Sequence, residues 1–261
     1  MKVAIIGYGF VGKATHRLLG KTPTFTEVLI HDPKLGHEVK NWSGVEYAFI
    51  CVPTNLKDGK LDVSIVHTIL KTLPEHVQPV IRSTLGPDQT LYIVEQFYPC
   101  PIIMPEFLRE KHWKDDVDNN DIPIILGDYV GPLEGAYAAG AKLQWALASL
   151  NRRVKVVNPM TASMIKIGRN AALAMKVALA NDFYDICKNT GADFDSLIRY
   201  LKEDPNLGGT HWDVPGHDDK RGFGGTCLPK DLTHTSSLCY HTNNIMDTAI
   251  KANKERRSDY E

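Results

Sequence analysis

Apolar positions along the first 157 residues come in short β-branched runs separated by amphipathic stretches. KVAIIG (2–7), EVLIHD (27–32), YAFICVP (47–53), PVIRST (79–84), PIIMPEF (101–107), IPIILG (122–127) and VKVV (154–157) each read as a strand. The stretches between them, such as the one through His16-Arg17-Leu18-Leu19, read as helices. This alternation predicts an α/β domain with a mostly parallel sheet covered by helices on both faces. At Asn158-Pro159 the pattern changes. Proline suits a first helical turn, and an apolar-rich helical stretch then runs to Lys188 with no glycine after Gly168. The boundary is placed there, giving a sheet domain over 1–157 and an all-α domain over 158–261. A final helix is predicted from near Pro229 into the polar C-terminal residues. The loop at 204–225 holds six Gly and two Pro, a length and composition unusual in a compact domain unless the loop is functional.

Composition narrows the classes. With 261 residues, 43% hydrophobic and 23% charged, the chain can build one large core or two modest ones. Thirty Lys+Arg against 31 Asp+Glu leave a net charge of -1, so no bulk positive charge points to nucleic acid or to an anionic membrane. No apolar run reaches the roughly 18 residues of a membrane span, and the N-terminus enters a strand without a signal-peptide pattern. Five scattered cysteines without a CxxC pair fit the reduced thiols of a cytoplasmic protein. His211, His217, His234 and His241, with Cys227 and Cys239, match no zinc spacing, so no metal site is expected.

Gly7-Tyr8-Gly9-Phe10-Val11-Gly12 follows the first strand and opens the first helix, the context in which G-x-G-x-x-G has a mechanism. The first glycine permits the tight turn, the second lets backbone approach a pyrophosphate, and the third lets helix and strand pack closely. Asp32 stands 20 residues after Gly12 at the end of EVLIHD, where a carboxylate can accept from an adenosine ribose. An acid there favours NAD over NADP, and Lys34 softens that preference. The N-terminal domain is therefore expected to be Rossmann-type.

A second constellation lies in the helical part. In Gly222-Phe223-Gly224-Gly225-Thr226-Cys227-Leu228-Pro229-Lys230-Asp231 a thiol stands between a glycine run and a helix start marked by Pro229. The helix dipole and Lys230 should stabilise its thiolate, which makes Cys227 a candidate nucleophile, with Asp231 one turn on to orient a water or take a proton. The other four cysteines read as inert small hydrophobes. Lys166 and Asn170, four apart on one helix, can form a clamp for a developing alkoxide, although a solvated helix face is the commoner fate of such a pair. Arg221 is the candidate anchor for a diphosphate.

Taken with Cys51-Val52-Pro53-Thr54, Ser83-Thr84 and Pro105-Glu106-Phe107-Leu108-Arg109-Glu110, these motifs occur in the order of the UDP-glucose/GDP-mannose dehydrogenase family, which the chain resembles over nearly its whole length. The resemblance implies oxidation of a nucleotide-sugar C6 alcohol to the uronic acid, with two NAD used in turn. Cys227 would carry a thiohemiacetal and then a thioester. Lys166 and Asn170 would stabilise oxyanions, and Glu106, Thr84 and Asp231 would handle protons and water. It further implies that Val52, Pro53, Thr54, Ser83, Thr84, Glu110 and Lys230 attend the cofactor, and that Glu106, Phe107, Leu108, Gly222, Phe223 and Gly224 line the sugar nucleotide. Asn55, Leu85-Gly86 and Ser163 depart from the family pattern, and its arginine before the glycine loop has no match near residues 206–209. Family members carry a third, C-terminal domain that helps hold the nucleotide, so this chain is expected to bind sugar nucleotide weakly unless a separate polypeptide supplies that surface. It is also expected to form a homodimer through the helix after the cysteine loop, with Leu232, Leu238, Ile245, Met246, Ala249 and Ile250 left partly uncovered. The competing readings are a non-catalytic NAD-binding remnant, which needs no thiolate, and a one-step hydroxyacid dehydrogenase, which has no use for Cys227.

Overall fold

All seven apolar runs become strands of one sheet. The computed structural model describes residues 1–119, 122–128, 136–150, 152–241 and 243–258. Its strands are β1 (Lys2–Ile6), β2 (Glu27–His31), β3 (Val45–Ile50), β4 (Leu56–Lys57), β5 (Lys60–Leu61), β6 (Gln78–Ile81), β7 (Ile102–Ile103), β8 (Ile124–Gly127) and β9 (Val154–Val157). Its helices are α1 (Phe10–Leu19), α2 (Ser64–Thr72), α3 (Pro87–Gln96), α4 (Trp113–Asn119), α5 (Ala136–Ala148), α6 (Pro159–Thr190), α7 (Phe194–Glu203), α8 (Leu228–Ser237) and α9 (Ile245–Ser258). The seven-stranded sheet has the order β2-β1-β3-β6-β7-β8-β9. It is parallel throughout except where β7 meets β8.

The chain divides into two compact units, Met1–Asn55 with Asp62–Lys166, and Leu56–Leu61 with Ile167–Glu261. This division differs from a boundary at 157/158. Helix α6 is continuous from Pro159, with Asn158 Oδ1 accepting the Thr161 N–H at 3.0 Å, and its first turns pack on the sheet through Ala162. The contacts therefore change over inside the helix rather than at its cap.

In the first unit the two-residue period of the strands sorts side chains to opposite faces. Val3, Ile5, Tyr47 and Phe49 pack with Ala14, Leu18, Val117 and Leu143, from α1, α4 and α5. Ala4, Ile6, Ala48 and Ile50 pack with Val66, Leu70 and Ile93, from α2 and α3. Both faces are dry, which is why the central strands are unbroken apolar runs rather than alternating ones.

In the second unit Ala171, Ala174, Val177, Phe223, Leu232 and Ala249 form one core, and Ala180, Ile198 and Trp212 another. One expectation is corrected. The single final helix is two helices, because Asn244 begins a new one: its Oδ1 accepts the N–H groups of Met246 and Asp247 at 3.0 and 3.1 Å, as an N-cap does. Of the six apolar positions expected to be partly uncovered, four are so. Leu232 and Ala249 are buried at 0% and 7% exposure, Leu238, Met246 and Ile250 are half-buried, and Ile245 alone of the six is exposed. A short hairpin, β4-β5, also joins this unit; its turn residues Asp58 and Gly59 both have positive φ, 52° and 77°, as a type I′ turn requires. Among the described residues, no helix is long and apolar enough to cross a membrane.

Candidate active site

The glycine motif closes the turn between β1 and α1. Gly7 has φ 85°, and a Cβ at Gly12 would lie 2.1 Å from the Gly7 carbonyl oxygen, so the third glycine is required by close packing of turn against helix. A Cβ on Gly9 would meet nothing within 4 Å, which leaves that backbone open to approach. Asp32, at the end of β2, accepts the Tyr8 N–H at 2.8 Å through Oδ2, an arrangement that ties the acid to the glycine turn. Lys34 is exposed in the short 3-10 turn that follows. Phe10 and Val11 open α1, whose N-terminus faces the turn. The remaining sequence-derived cofactor residues are also joined: Ser83 Oγ donates to the Val52 carbonyl at 2.7 Å and accepts the Val52 N–H at 3.0 Å, and Thr54 Oγ1 donates to the Thr84 carbonyl at 2.9 Å. These bonds fix the segment through Val52, Pro53 and Thr54 against Ser83-Thr84 at the C-terminal ends of β3 and β6, the sheet edge where open α/β folds bind ligands. The residues present fit NAD. Gly12→Ala is expected to weaken NAD binding by tenfold or more, as read by calorimetry, because a Cβ there must push the Gly7 turn aside.

Beside this edge lies a buried ion pair. Lys166 Nζ donates to Glu106 Oε1 at 2.9 Å, and Glu106 Oε2 accepts the Leu108 N–H at 2.6 Å; the two side chains are only 4% and 6% exposed. Burial alone would push the Glu106 carboxyl up. The charge of Lys166, the Leu108 N–H and the charge of Arg82 outweigh burial and hold it below the ordinary carboxylate value. Phe107 is buried, with its ring centroid 5.8 Å from Lys166 Nζ. Ser163, where the family pattern has an acid, is bonded to Thr90 Oγ1 at 2.6 Å. Glu110 is exposed in a 3-10 turn. Lys166 is thus not on the solvated helix face that its spacing alone would suggest.

In the second unit Cys227 occupies the N-cap position of α8 and is half-buried, its Sγ 3.6 Å from Thr226 Oγ1. Asp231 is fully buried. Its Oδ1 accepts from Lys230 Nζ at 2.7 Å and its Oδ2 from Asn170 Nδ2 at 2.6 Å. A carboxylate with no solvent requires such partners, and these bonds tie Asp231 to Asn170 and Lys230. Burial pushes the thiols of Cys51 and Cys100 up to about 11, and neither is a nucleophile at neutral pH.

The glycine loop is held by side chains that sequence reasoning missed. Asn253 Oδ1 accepts the Phe223 N–H at 2.6 Å and its Nδ2 donates to the Phe223 carbonyl at 3.0 Å; Asn181 Oδ1 accepts the Gly222 N–H at 3.1 Å. Arg257 bonds Asp218 at 2.6 Å and reaches the carbonyls of Arg221 and Gly222. Arg221, the expected diphosphate anchor, is engaged on α6 with Asp185 at 2.6 Å and lies over the Tyr184 ring. Loop backbone without a ladder needs such acceptors and donors, but nothing in the spacing of Asn181 or Asn253 reveals which peptide each will meet. A cavity of about 340 Å³ is lined by Phe223, Gly224, Pro229, Thr233, Ile250 and Arg257.

The sequence profile of the UDP-glucose/GDP-mannose dehydrogenase family, central domain, matches residues 160–255, the segment that holds Lys166, Asn170, Cys227 and Asp231. Residues 160–255 are thus similar to the central domain of this family. It is 29% identical over 252 residues to a UDP-glucose 6-dehydrogenase of Rickettsia bellii, covering 90% of this chain and 55% of that one. It is 27% identical to a UDP-glucose 6-dehydrogenase of Streptococcus pneumoniae, covering 100% of this chain and 74% of the relative. The chain spans about half the length of the first curated relatives it matches, 55% and 49%. Among solved structures, a UDP-glucose dehydrogenase from Pyrobaculum islandicum aligns over 99% of this chain and 68% of its own, with a TM-score of 0.77 at 19% identity. A GDP-mannose dehydrogenase from Pseudomonas aeruginosa aligns over 99% of this chain and 69% of its own, with a TM-score of 0.65 at 21% identity. These two share the fold, a Rossmann-type sheet with helical content.

Proposed function

We propose that this chain carries out the NAD-dependent oxidation of the C6 alcohol of a nucleotide sugar, UDP-glucose in the first instance, to the uronic acid through covalent attachment to Cys227. The observation that carries this reading is the thiol at the N-cap of α8, inside the family segment and directly after a glycine loop whose backbone is clamped by Asn181, Asn253 and Arg257. A simple hydroxyacid oxidation requires no such group.

NAD, when bound, accepts one hydride in each of two oxidations. Gly7, Gly9, Gly12 and the α1 N-terminus hold its pyrophosphate, and Asp32 its adenosine ribose. Lys166 stabilises the negative charge that develops on the C6 oxygen as the alcohol loses its proton, and Glu106, kept ionised, holds the ammonium in place. The Cys227 thiol adds to the resulting aldehyde carbon. The sulfur forms the new bond as the carbonyl π bond opens, the thiol proton leaves to solvent, and the oxygen takes up one proton from solvent in its place to become the hydroxyl of a thiohemiacetal. Loss of hydride and proton from that adduct gives a thioester, and water then releases the carboxylate and returns the thiol. Asn170, oriented by Asp231, donates to the oxygen of the adduct. Thr84 lies at the strand edge, its carbonyl already taken by Thr54.

Counting product tests the reading. Two NADH per uronic acid, with no free aldehyde, is the expected result; one NADH with aldehyde released indicates a one-step enzyme. NAD is expected to bind at least about tenfold more tightly than NADP, because a 2′-phosphate would meet the Asp32 carboxylate. Equal or tighter NADP binding by calorimetry overturns the assignment of Asp32.

A further inference from the structure

Arg82 is the first residue after β6. Its backbone N–H donates to the Ile50 carbonyl at 2.9 Å, while the Met104 N–H donates to the Ile81 carbonyl at 2.8 Å. It therefore stands at the C-terminal edge of the sheet, between the ends of β3 and β7. It is 6% exposed. Its Nε is shut off from solvent and has no acceptor, and no hydrogen bond or ion pair reaches its guanidinium among the described residues. Glu106 is a nearby opposite charge, but its two oxygens are engaged by Lys166 and the Leu108 N–H. Burial accordingly pushes the guanidinium below its ordinary value.

A buried guanidinium whose Nε–H is shut off from solvent and has no acceptor lowers the stability of the fold that contains it, and an apolar side chain of similar length would hold the strand end better. Such a group calls for an acceptor that arrives with a ligand. The fold says which one. Gly7–Gly12 and Asp32 lie at the ends of β1 and β2, which assigns the pyrophosphate and adenosine to that side. β6 lies two strands beyond β1 on the opposite side, about 10 Å along the edge at the usual strand spacing. A dinucleotide lying across the edge presents its nicotinamide nucleotide there, with a carboxamide oxygen and ribose hydroxyls as acceptors. We infer that Arg82 is a cofactor-binding residue whose guanidinium donates to an oxygen of the nicotinamide nucleotide half of NAD. This inference rests on the NAD reading above.

Calorimetry with NAD and with ADP, which keeps the adenosine and both phosphates but lacks the nicotinamide nucleotide, separates the two. For Arg82→Met the expected result is NAD binding weakened about tenfold or more, ADP binding within about twofold of wild type, and a ligand-free melting temperature that rises. Arg82→Lys keeps the charge but not the fork, and is expected to fall between the two in NAD affinity. Equal effects on NAD and ADP, or no effect on NAD, overturn the inference, as does a fall in melting temperature with NAD affinity unchanged, which makes Arg82 a structural residue. Failure of the wild type to bind either ligand overturns the NAD reading itself, and the inference with it.

Discussion

Replacing Cys227 with serine should end uronic-acid formation, lowering turnover by roughly 10³-fold or more, while NAD binding and the melting temperature stay at wild-type values. The thiol is half-buried at the cap of α8 and accepts no load in the fold: among the described residues its Sγ has a hydrogen-bond contact with the Thr226 hydroxyl, at 3.6 Å. A serine hydroxyl fits the same place, so stability should not move. Chemistry should, because a hydroxyl is a far weaker nucleophile toward an aldehyde carbon than a thiolate. Wild-type protein given the aldehyde sugar and NAD should show a Cys227 adduct by mass spectrometry, and Cys227→Ser should show none. An adduct-free wild type that still makes acid rules out the covalent route. The same experiment on Cys51 or Cys100 should be silent, since burial pushes both thiols up to about 11.

Glu106→Gln should be the most destabilising conservative change near the sheet edge, by about 3–5 kcal/mol in urea denaturation at neutral pH. The wild-type carboxylate is 6% exposed and compensates the buried ammonium of Lys166 at 2.9 Å and the buried guanidinium of Arg82. The amide leaves two cations without a counter-charge in a site with almost no water. The pH dependence follows in sign. Lys166, the Leu108 N–H and Arg82 outweigh burial and hold the folded-state value below the ordinary 4.5, so the contribution of this carboxylate is fully present above about 4.5. It is lost as pH falls through the folded value. The stability gap between wild type and Glu106→Gln should therefore be widest at neutral pH and close in acid. A gap that is flat from neutral to strongly acidic pH would show that Glu106 is not ionised in the fold.

How far each residue could be read before folding depends on the distance over which its role is set. The strands of the sheet are legible because central parallel strands bury both faces and must be apolar throughout, as in Val3–Ile6 and Ala48–Ile50. The glycine turn is legible for a similar reason. The clash that excludes a Cβ at Gly12 is with Gly7, five residues away, and Asp32 closes the turn from the end of the neighbouring strand. Asp58-Gly59 is equally local, a hairpin turn written in two residues. So is Asn244, whose cap divides the last helix. Other assignments turn on partners that sequence spacing cannot supply. Lys166 reads as half of a surface pair until Glu106, 60 positions away, is found at 2.9 Å. Asp231 reads as a free base until Asn170 and Lys230 occupy both its oxygens. Asn253 carries no signal at all until its amide meets the Phe223 peptide, and Arg82 looks like an ordinary charge after a strand until burial leaves its Nε without an acceptor. Periodicity and short turns are properties of neighbouring residues, so the chain states them outright. The charge state and partner of a buried polar group are set by which distant segments exclude its water, and that is decided only when the chain is packed.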